Sequence, residues 1–374
     1  MSDSLVAIGL ISGTSADGID AVLIRSDGEE QHELLAFTEN PYPKRVRDDV
    51  LALYHPGPNE IDRMGKLDAE LGELFAKAAL GVCKSAGISP SQVDVIGSHG
   101  QTIRHRPPDF TLQIANPAVI SSITGIKTIA DFRRADMALG GEGAPMVPLF
   151  HKAVFNTKGK ATGVLNLGGI ANLTILSKSG EILVAGDTGP ASTLIDLLVG
   201  KIAGVEDEKG LCDLDGLGAK AGQVDAKALA WLLQHEYLQR PYPKSTGREM
   251  FGIEYLNEFL ALFPDMVSKN GLATLTCFTA KTIAMACEEL FAKEQYRLVS
   301  CGGGAKNPTL LSMIAHELPE VEMVVSSDLG VDSDSLESQC FAWFAIRTLK
   351  GLTSSVPEAT GATKAAILGA VNYA

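Results

Sequence analysis

Two aspartates stand where an apolar segment gives way to glycine, and a carboxylate at such a position can do chemistry. Asp17 lies in "SGTSADG" (12–18), and Asp187 lies in "GDTGPASTLID" (186–196). A carboxylate at the end of a strand can act as a general base or bind Mg²⁺. Each also has a structural interpretation, because Asp-Gly favours a hairpin turn and an aspartate before a helix often caps it.

Glycine-rich turns follow three apolar segments, at 12–18, 168–169 and 302–304. Glycine lacks a Cβ atom, so the backbone N–H groups of such turns can approach phosphate closely. One such turn is most often only a turn, but three of them together predict a nucleotide site. None contains the Gly-Lys-Ser/Thr sequence of a P-loop, so a Walker site is excluded.

The first of these loops carries no basic residue that could neutralise phosphate, and the next one along the chain is Arg25. An uncompensated carboxylate would repel a polyphosphate. If the loop binds phosphate, we therefore expect Asp17 to act through Mg²⁺, directly or by way of a bound water. The alternative is that Asp17 only shapes the turn.

Two polar segments could contact a substrate. "SHGQTIRHRP" (98–107) holds His99 and Gln101, and "DFRRADMALGGEGAPMVP" (131–148) holds Arg133 and Asp136. Hydrogen bonding to a polar substrate is one interpretation, with an arginine meeting an acidic substituent. A structural loop held by its own ion pairs is the alternative. Two histidines without further ligands do not predict a metal site.

The elements that must position these residues follow the same order twice. Residues 5–37 and 161–187 each read as strand, glycine-rich turn, strand, short turn and strand. Apolar residues that recur every three or four positions predict a helix over 60–86 with Gly87 after it, and further helices over 223–239, 251–263 and 272–293. The repetition predicts two related α/β domains, with a ligand between them and a crossing near 125–145.

The composition narrows the class of protein. The chain has 374 residues and a formal net charge of -13, which argues against nucleic acid or an anionic membrane as the main partner. Its six cysteines include no C-x-x-C pair, so we expect reduced thiols rather than disulfides or a zinc site. No segment predicts a signal peptide or a membrane span, and we expect a cytoplasmic protein.

Nine motifs occur in a fixed order from residue 8 to about residue 370: "SGTSADGID", "SHGQTIRH", "DFRRAD", "GGEGAPMVP", "NLGGIANLT", "DTGP", "TGREMF", "GGGAKNP" and "FAWFA". In this order they resemble the anhydro-N-acetylmuramic acid kinases of bacterial peptidoglycan recycling, which belong to the sugar kinase/Hsp70/actin superfamily. The resemblance implies an α/β fold of two duplicated actin-like (ribonuclease H-like) domains with a nucleotide cleft between them. We expect these domains over 1–130, completed by about 350–374, and over 131–349.

The resemblance also implies the reaction and the residues that carry it out. It implies a kinase that uses ATP and Mg²⁺, opens the 1,6-anhydro ring with water and phosphorylates O6, with Asp187 as the catalytic base and Asp17 and Glu337 near the metal. The expected nucleotide contacts are Gly13, Thr14, Ser15, Asp17, Gly18, Gly168, Gly169, Gly302, Gly303, Gly304 and Asn307. The expected sugar contacts are His99, Gln101, Arg133 and Asp136, and a homodimer is implied as well.

The chain departs from the family's usual residues at Ile11, Glu142, Gly186, Ala191 and Ser192. All of these changes spare the carboxylates that are expected to do chemistry. Two other functions are also consistent with the sequence. One is a kinase for another 1,6-anhydro sugar such as levoglucosan, and the other is a non-catalytic, ATP-dependent binding module.

Overall fold

A computed structural model describes residues 4–205, 211–291 and 294–374. The chain divides into two compact units, one formed by Met1–Val154 with Ser335–Ala374 and the other by Phe155–Asp334. Among the described residues, no helix combines the length and the apolar character that crossing a membrane requires.

The twelve strands of the described residues are β1 (Leu5–Ser12), β2 (Gly18–Ser26), β3 (His32–Pro41), β4 (Val95–Arg106), β5 (Phe110–Ile114), β6 (Thr128–Ala130), β7 (Ala161–Leu167), β8 (Ile170–Leu176), β9 (Ile182–Pro190), β10 (Tyr296–Cys301), β11 (Glu322–Val325) and β12 (Ala370–Asn372).

The α-helices of the described residues are α1 (Lys44–Leu53), α2 (Glu60–Ala86), α3 (Pro117–Thr124), α4 (Arg134–Met137), α5 (Pro148–Phe155), α6 (Thr193–Ala203), α7 (Leu217–Lys220), α8 (Ala226–Leu232), α9 (Ile253–Leu262), α10 (Lys269–Phe291), α11 (Pro308–Glu317), α12 (Leu336–Leu349) and α13 (Pro357–Thr360).

The two units repeat one sheet topology. The first sheet contains the order β3-β2-β1-β4-β6, and the second has the order β9-β8-β7-β10-β11. In each sheet an antiparallel meander of three strands continues into parallel strands, because β4 runs parallel to β1 and β10 runs parallel to β7. The predicted duplicated α/β fold is therefore confirmed.

The predicted helix over 60–86 is confirmed as α2. It ends where Gly87, at φ 66°, donates its N–H to the carbonyl oxygens of Cys83 and Lys84, and glycine takes this left-handed conformation without strain. Leu71 and Phe75 are fully buried on the apolar face of the helix. Ile61, in the first turn, is 82% exposed, because the first turns of α2 extend beyond the core.

The prediction of one helix over 223–239 is wrong in its length. α8 covers only Ala226–Leu232 of it, and Leu233 ends that helix. A short 3₁₀ helix, Glu236–Gln239, follows after His235, whose Nδ1 accepts from the N–H of Tyr237. This side-chain cap begins a new element inside the apolar pattern. The helix predicted over 272–293 is α10, and residues 292–293 lie outside the described residues.

The boundaries of the units differ from those expected from the sequence. Residues 131–154 and 335–349 were expected in the second domain, and both belong to the first unit. The reason is close packing of α12 on the first sheet, where Cβ atoms at Gly9 and Gly97 would overlap the carbonyl oxygens of Ser338 and Phe341. Only glycine in these two strands lets the helix approach so closely.

Candidate active site

The loop at 12–18 joins β1 to β2 as a tight hairpin connection. The two strands pair antiparallel up to Ile11 opposite Asp20, and Ala16, at φ 51°, donates its N–H to Gly13 O at 3.1 Å. A Cβ atom at Gly18 would lie 2.6 Å from Asn40 O, so the approach of β3 requires glycine there. The predicted hairpin turn is confirmed.

Side chains behind this loop fix the direction of its peptides. Gln101, in β4, donates from Nε2 to Gly13 O at 3.0 Å. Tyr54 donates its hydroxyl to Thr14 O at 2.9 Å. In a planar trans peptide the N–H points opposite to the C=O. The N–H groups of Thr14 and Ser15 therefore point away from Gln101 and Tyr54.

These two consecutive N–H groups are suited to an anion. Across the described residues, neither Thr14 N nor Ser15 N donates to a protein acceptor, and successive N–H groups with a common direction form a concave anion site. Gln101 is fully buried; it accepts from Ser12 Oγ at 2.6 Å and donates to Tyr54 Oη at 3.1 Å. These contacts make Gln101 a support of the loop, and a sugar contact would have to replace one of them.

Asp17 and Glu337, the two carboxylates expected near the metal, are both exposed. Ser15 Oγ donates to Asp17 Oδ1 at 3.0 Å. Glu337 lies in the first turn of α12. Desolvation by the protein around it raises the pKa of its carboxyl, and the charge of Arg133 lowers that pKa by a smaller amount.

The described residues contain no cluster of three or more His, Cys, Asp or Glu side chains that could hold a metal ion. Mg²⁺ needs no such cluster, because it commonly binds through one or two carboxylates while water and substrate phosphates complete its shell. The exposed carboxylates of Asp17 and Glu337 fit this ion in their chemistry.

Arg133 is held in one orientation by its neighbours. Its Nε donates to His99 Nε2 at 3.0 Å, and its Nη1 donates to Gly143 O at 2.8 Å. Since arginine can only donate, His99 Nε2 must be unprotonated, and the proton lies on Nδ1, which donates to Gly100 O at 3.1 Å. Burial, and secondarily the charge of Arg133, hold the pKa of His99 well below its ordinary value.

The guanidinium of Arg133 stays charged at neutral pH. Burial lowers its pKa to about 10, and the charge of Glu337 opposes this decrease. Both ring nitrogens of His99 are engaged within the protein, so His99 orients Arg133 instead of offering a free nitrogen to a ligand.

Asp136 connects two segments of the first unit. It is fully buried; its Oδ2 accepts from Gly143 N at 2.9 Å and its Oδ1 accepts from Thr360 Oγ1 at 2.8 Å. Both oxygens therefore have protein donors, and the contacts that the structure gives Asp136 are internal. They also explain why residues 131–146 belong to the first unit.

Asp187 lies in β9, opposite Asn172 of β8. Its Oδ2 accepts from Thr246 N at 2.9 Å and from Ser245 Oγ at 3.1 Å. Helix α6 begins at Thr193 with Ser192 in the capping position, so Asp187 does not cap this helix. The structural interpretation of Asp187 as a helix cap is wrong.

The other two glycine-rich turns lie next to each other in the second unit. Asn166 pairs with Cys301 at the ends of β7 and β10, just before the two turns. A Cβ atom at Gly304 would lie 2.8 Å from that of Leu167, whereas nothing lies within 4 Å of one at Gly303. Gly303 thus leaves open space beside the strand ends, as a closely approaching ligand requires.

Three more of the predicted nucleotide residues, Gly168, Gly169 and Asn307, stabilise helix starts in the second unit, and Gly302 O accepts from Ala305 N at 3.0 Å. The carbonyl oxygens of Gly168 and Gly169 accept N–H groups from Ser192 and from Ala191 and Thr193. Asn307 Oδ1 accepts from Leu310 N at 3.0 Å and caps α11.

Tyr54, Ser245 and Thr246 are site residues that the sequence reasoning did not single out. The motif "TGREMF" begins at Thr246 and was a signal for this segment. Tyr54 follows the C-terminal end of α1, and its neighbouring sequence gives no sign that it reaches the glycine-rich loop 40 residues earlier.

Comparisons with known proteins agree with the resemblance seen in the motifs. The family model described as "Anhydro-N-acetylmuramic acid kinase" matches residues 5–374. A protein of that name from Shewanella amazonensis is 44% identical over 373 residues, covering 99% of each chain. One from Vibrio cholerae is 39% identical over 376 residues, covering 100% of each chain.

One similar solved structure is (R)-2-hydroxyglutaryl-CoA dehydratase component A of Acidaminococcus fermentans. It is 12% identical, with a TM-score of 0.49, and the match covers 92% of this chain and 99% of that one.

Proposed function

Because the chain belongs to the anhydro-N-acetylmuramic acid kinase family, we propose that it uses ATP to convert anhydro-N-acetylmuramic acid into N-acetylmuramic acid 6-phosphate. The chain is a phosphotransferase with an alcohol group as acceptor, and this reaction serves peptidoglycan recycling. The observation that carries the assignment of residues is the carboxylate of Asp187, held by two donors in strand β9.

The substrate requires a base that can act on water. Its O6 is bonded to C1 in an acetal, so a kinase that only deprotonates a hydroxyl finds no acceptor. We propose that Asp187 takes a proton from the water that attacks C1, that the C1–O6 bond breaks, and that O6 then attacks the γ-phosphorus of ATP, from which ADP leaves. The single base thereby serves both ring opening and phosphoryl transfer.

The glycine-rich turns are the proposed nucleotide contacts. In the first unit, the N–H groups of Thr14 and Ser15 would donate to phosphate oxygens, in the direction that Gln101 and Tyr54 impose on the loop. In the second unit, the open space at Gly303 would admit another part of the nucleotide. Binding of ATP by these turns stays a prediction for direct measurement.

Asp17 and Glu337 would hold Mg²⁺ through their exposed carboxylates. The bound ion supplies positive charge to the phosphoryl group during transfer. Within the chain, Ser15 supports the Asp17 carboxylate by its hydrogen bond to Oδ1. The charge of Arg133 favours the ionised form of Glu337.

Arg133 is the proposed contact for the acidic lactyl group of the sugar. His99 and Gly143 fix its Nε and Nη1, and across the described residues its Nη2 has no hydrogen-bonded acceptor. A guanidinium held this way offers a preorganised donor to a carboxylate. His99 would act through Arg133. The homodimer, the cytoplasmic location and a nucleotide position between the domains also stay predictions.

The test is ADP release with two sugars measured side by side. We expect anhydro-N-acetylmuramic acid to support turnover far better than levoglucosan, which lacks the lactyl carboxylate that Arg133 would bind. Turnover on levoglucosan alone would support a kinase for another anhydro sugar. No ADP release with either sugar would support a non-catalytic binding module.

The role of Asp187 has its own test. Loss of a general base typically lowers the rate by about 10²–10⁴-fold, so Asp187→Asn should lower kcat by that factor while ATP still binds. In ¹⁸O-labelled water the label should enter at C1, and O6 should keep its original oxygen. Label in the phosphate would mean that water attacks ATP, and near-normal turnover of the variant would remove Asp187 from the mechanism.

A further inference from the structure

The segment 242–246 ("YPKST") wraps around Asp187 through its backbone and one hydroxyl. The N–H of Asp187 donates to Lys244 O at 2.8 Å. In return, Thr246 N and Ser245 Oγ donate to Asp187 Oδ2 at 2.9 and 3.1 Å. The segment therefore holds both the main chain and the carboxylate of this residue.

The segment is itself anchored by Lys244. Its Nζ lies 5.0 Å from the ring centroid of Tyr237 and 4.6 Å from that of Tyr242, and it donates to Leu238 O at 3.1 Å. Tyr237 is fully buried and donates its hydroxyl to Asp187 O at 2.8 Å. An ammonium group between two aromatic rings is attracted to both, so Lys244 ties the segment to the strand that carries Asp187.

Gly186 makes this arrangement possible. A Cβ atom at residue 186 would lie 2.9 Å from Lys244 O and 2.9 Å from Tyr242 Cδ1. Any side chain there would push the segment away from β9 and separate Ser245 and Thr246 from the carboxylate. This chain departs from the family's usual residue at position 186, and the close approach of segment 242–246 requires the glycine found there.

We propose that Ser245 and Thr246 are positioning residues of the general base, which hold Asp187 Oδ2, fix the plane of the carboxylate and favour its ionised form. This inference rests on the proposed function of Asp187. Hydrogen bonds to a carboxylate favour its charged form and lower its pKa. The two hydrogen bonds to Oδ2 also fix the plane of the carboxylate for proton transfer from water.

Two titratable groups that face Asp187 do not obscure this effect. They are the phenols of Tyr237 and Tyr242, and burial raises the pKa of both, so both stay neutral across the assay range. Lys244 packs behind them; burial lowers the pKa of its ammonium and the charge of Glu289 raises it. Ser245 and Thr246 do not titrate in this range.

The experiment measures kcat as a function of pH in the full chain with Ser245→Ala, Ser245→Thr and Ser179→Ala. Ser179 is an exposed turn residue of the same unit, whose hydroxyl hydrogen-bonds to Ser177, and serves as the control. We expect Ser245→Ala to lower kcat about tenfold and to move the acid limb about one pH unit upward. The KM for ATP should stay unchanged, and Ser245→Thr should restore both properties because it keeps the hydroxyl.

An unmoved acid limb together with normal kcat in Ser245→Ala would overturn the proposal. An equal loss of kcat in Ser245→Thr would also overturn it, because the loss would then come from packing and not from the missing hydroxyl. Asp187→Asn, measured in the same series, separates this inference from the proposed function. If Asp187→Asn is inactive while Ser245→Ala is normal, only the positioning role fails; if Asp187→Asn is active, the proposed base itself is wrong.

Discussion

The glycine-rich loop at 12–18 depends on Gln101, and Gln101→Glu tests this dependence with almost no change in size. The substitution removes the two Nε2 donors, which contact Gly13 O at 3.0 Å and Tyr54 Oη at 3.1 Å. It also places a carboxylate oxygen against the Gly13 carbonyl. The Gly13–Thr14 peptide is then free to turn, and the N–H of Thr14 loses its direction toward phosphate.

The magnitude follows from the two lost hydrogen bonds. At about 1 kcal/mol each, they amount to about 2 kcal/mol, and 1.4 kcal/mol corresponds to about tenfold in affinity. If the loop must be reordered when ATP binds, we expect the Kd for ATP to rise by about 30-fold. Repulsion between the new charge and the phosphates adds to this effect. Binding of the sugar should change little.

The measurement is calorimetric titration of the variant with a non-hydrolysable ATP analogue and, separately, with the sugar. Gln113→Glu is the matched control, because Gln113 lies in the neighbouring strand β5 and its Nε2 donates to the hydroxyls of Thr102 and Thr111 instead of to the loop. An unchanged Kd for the ATP analogue with a weakened Kd for the sugar would refute our reasoning. It would return Gln101 to the sugar contact that the sequence predicted.

The remaining predictions concern the metal and the sugar. Asp17→Asn should raise the Mg²⁺ concentration needed for half-maximal activity and slow turnover without unfolding the protein, because asparagine is also a favourable turn residue; an unchanged Mg²⁺ titration would leave Asp17 with its turn role alone. Arg133→Ala should raise the KM for the sugar by about 30-fold and that for ATP far less, since a charge-assisted hydrogen bond contributes about 2 kcal/mol. Equal changes in both KM values would count against the lactyl contact.

The elements were predictable where local patterns decide them. Helix α2 follows from apolar residues at three- and four-residue spacing, and the β1–β2 hairpin follows from Asp17-Gly18 between two apolar runs. The duplication was visible because both units use the same succession of strands and turns.

The functions of individual polar residues were less predictable, because they depend on contacts between distant parts of the chain. Gln101 reaches Ser12 across 89 positions, and Thr246 reaches Asp187 across 59. Neither contact leaves a periodic pattern. A polar side chain such as that of Gln101 or Asp136 can bind a ligand or make hydrogen bonds within the protein, and the residue type does not distinguish the two. The structure places both side chains in internal hydrogen bonds.

The contact of α12 with Gly9 and Gly97 has a consequence for the order of folding during synthesis. Phe155–Asp334 is one continuous stretch, so this unit can complete its sheet as soon as its own residues have left the ribosome. Strands β1 and β4 emerge earlier, yet the helix that covers their glycine-lined face is translated only after the whole of that stretch. The nascent chain therefore carries an uncovered apolar sheet face throughout the translation of its second unit, and we expect this face to be where chaperones bind.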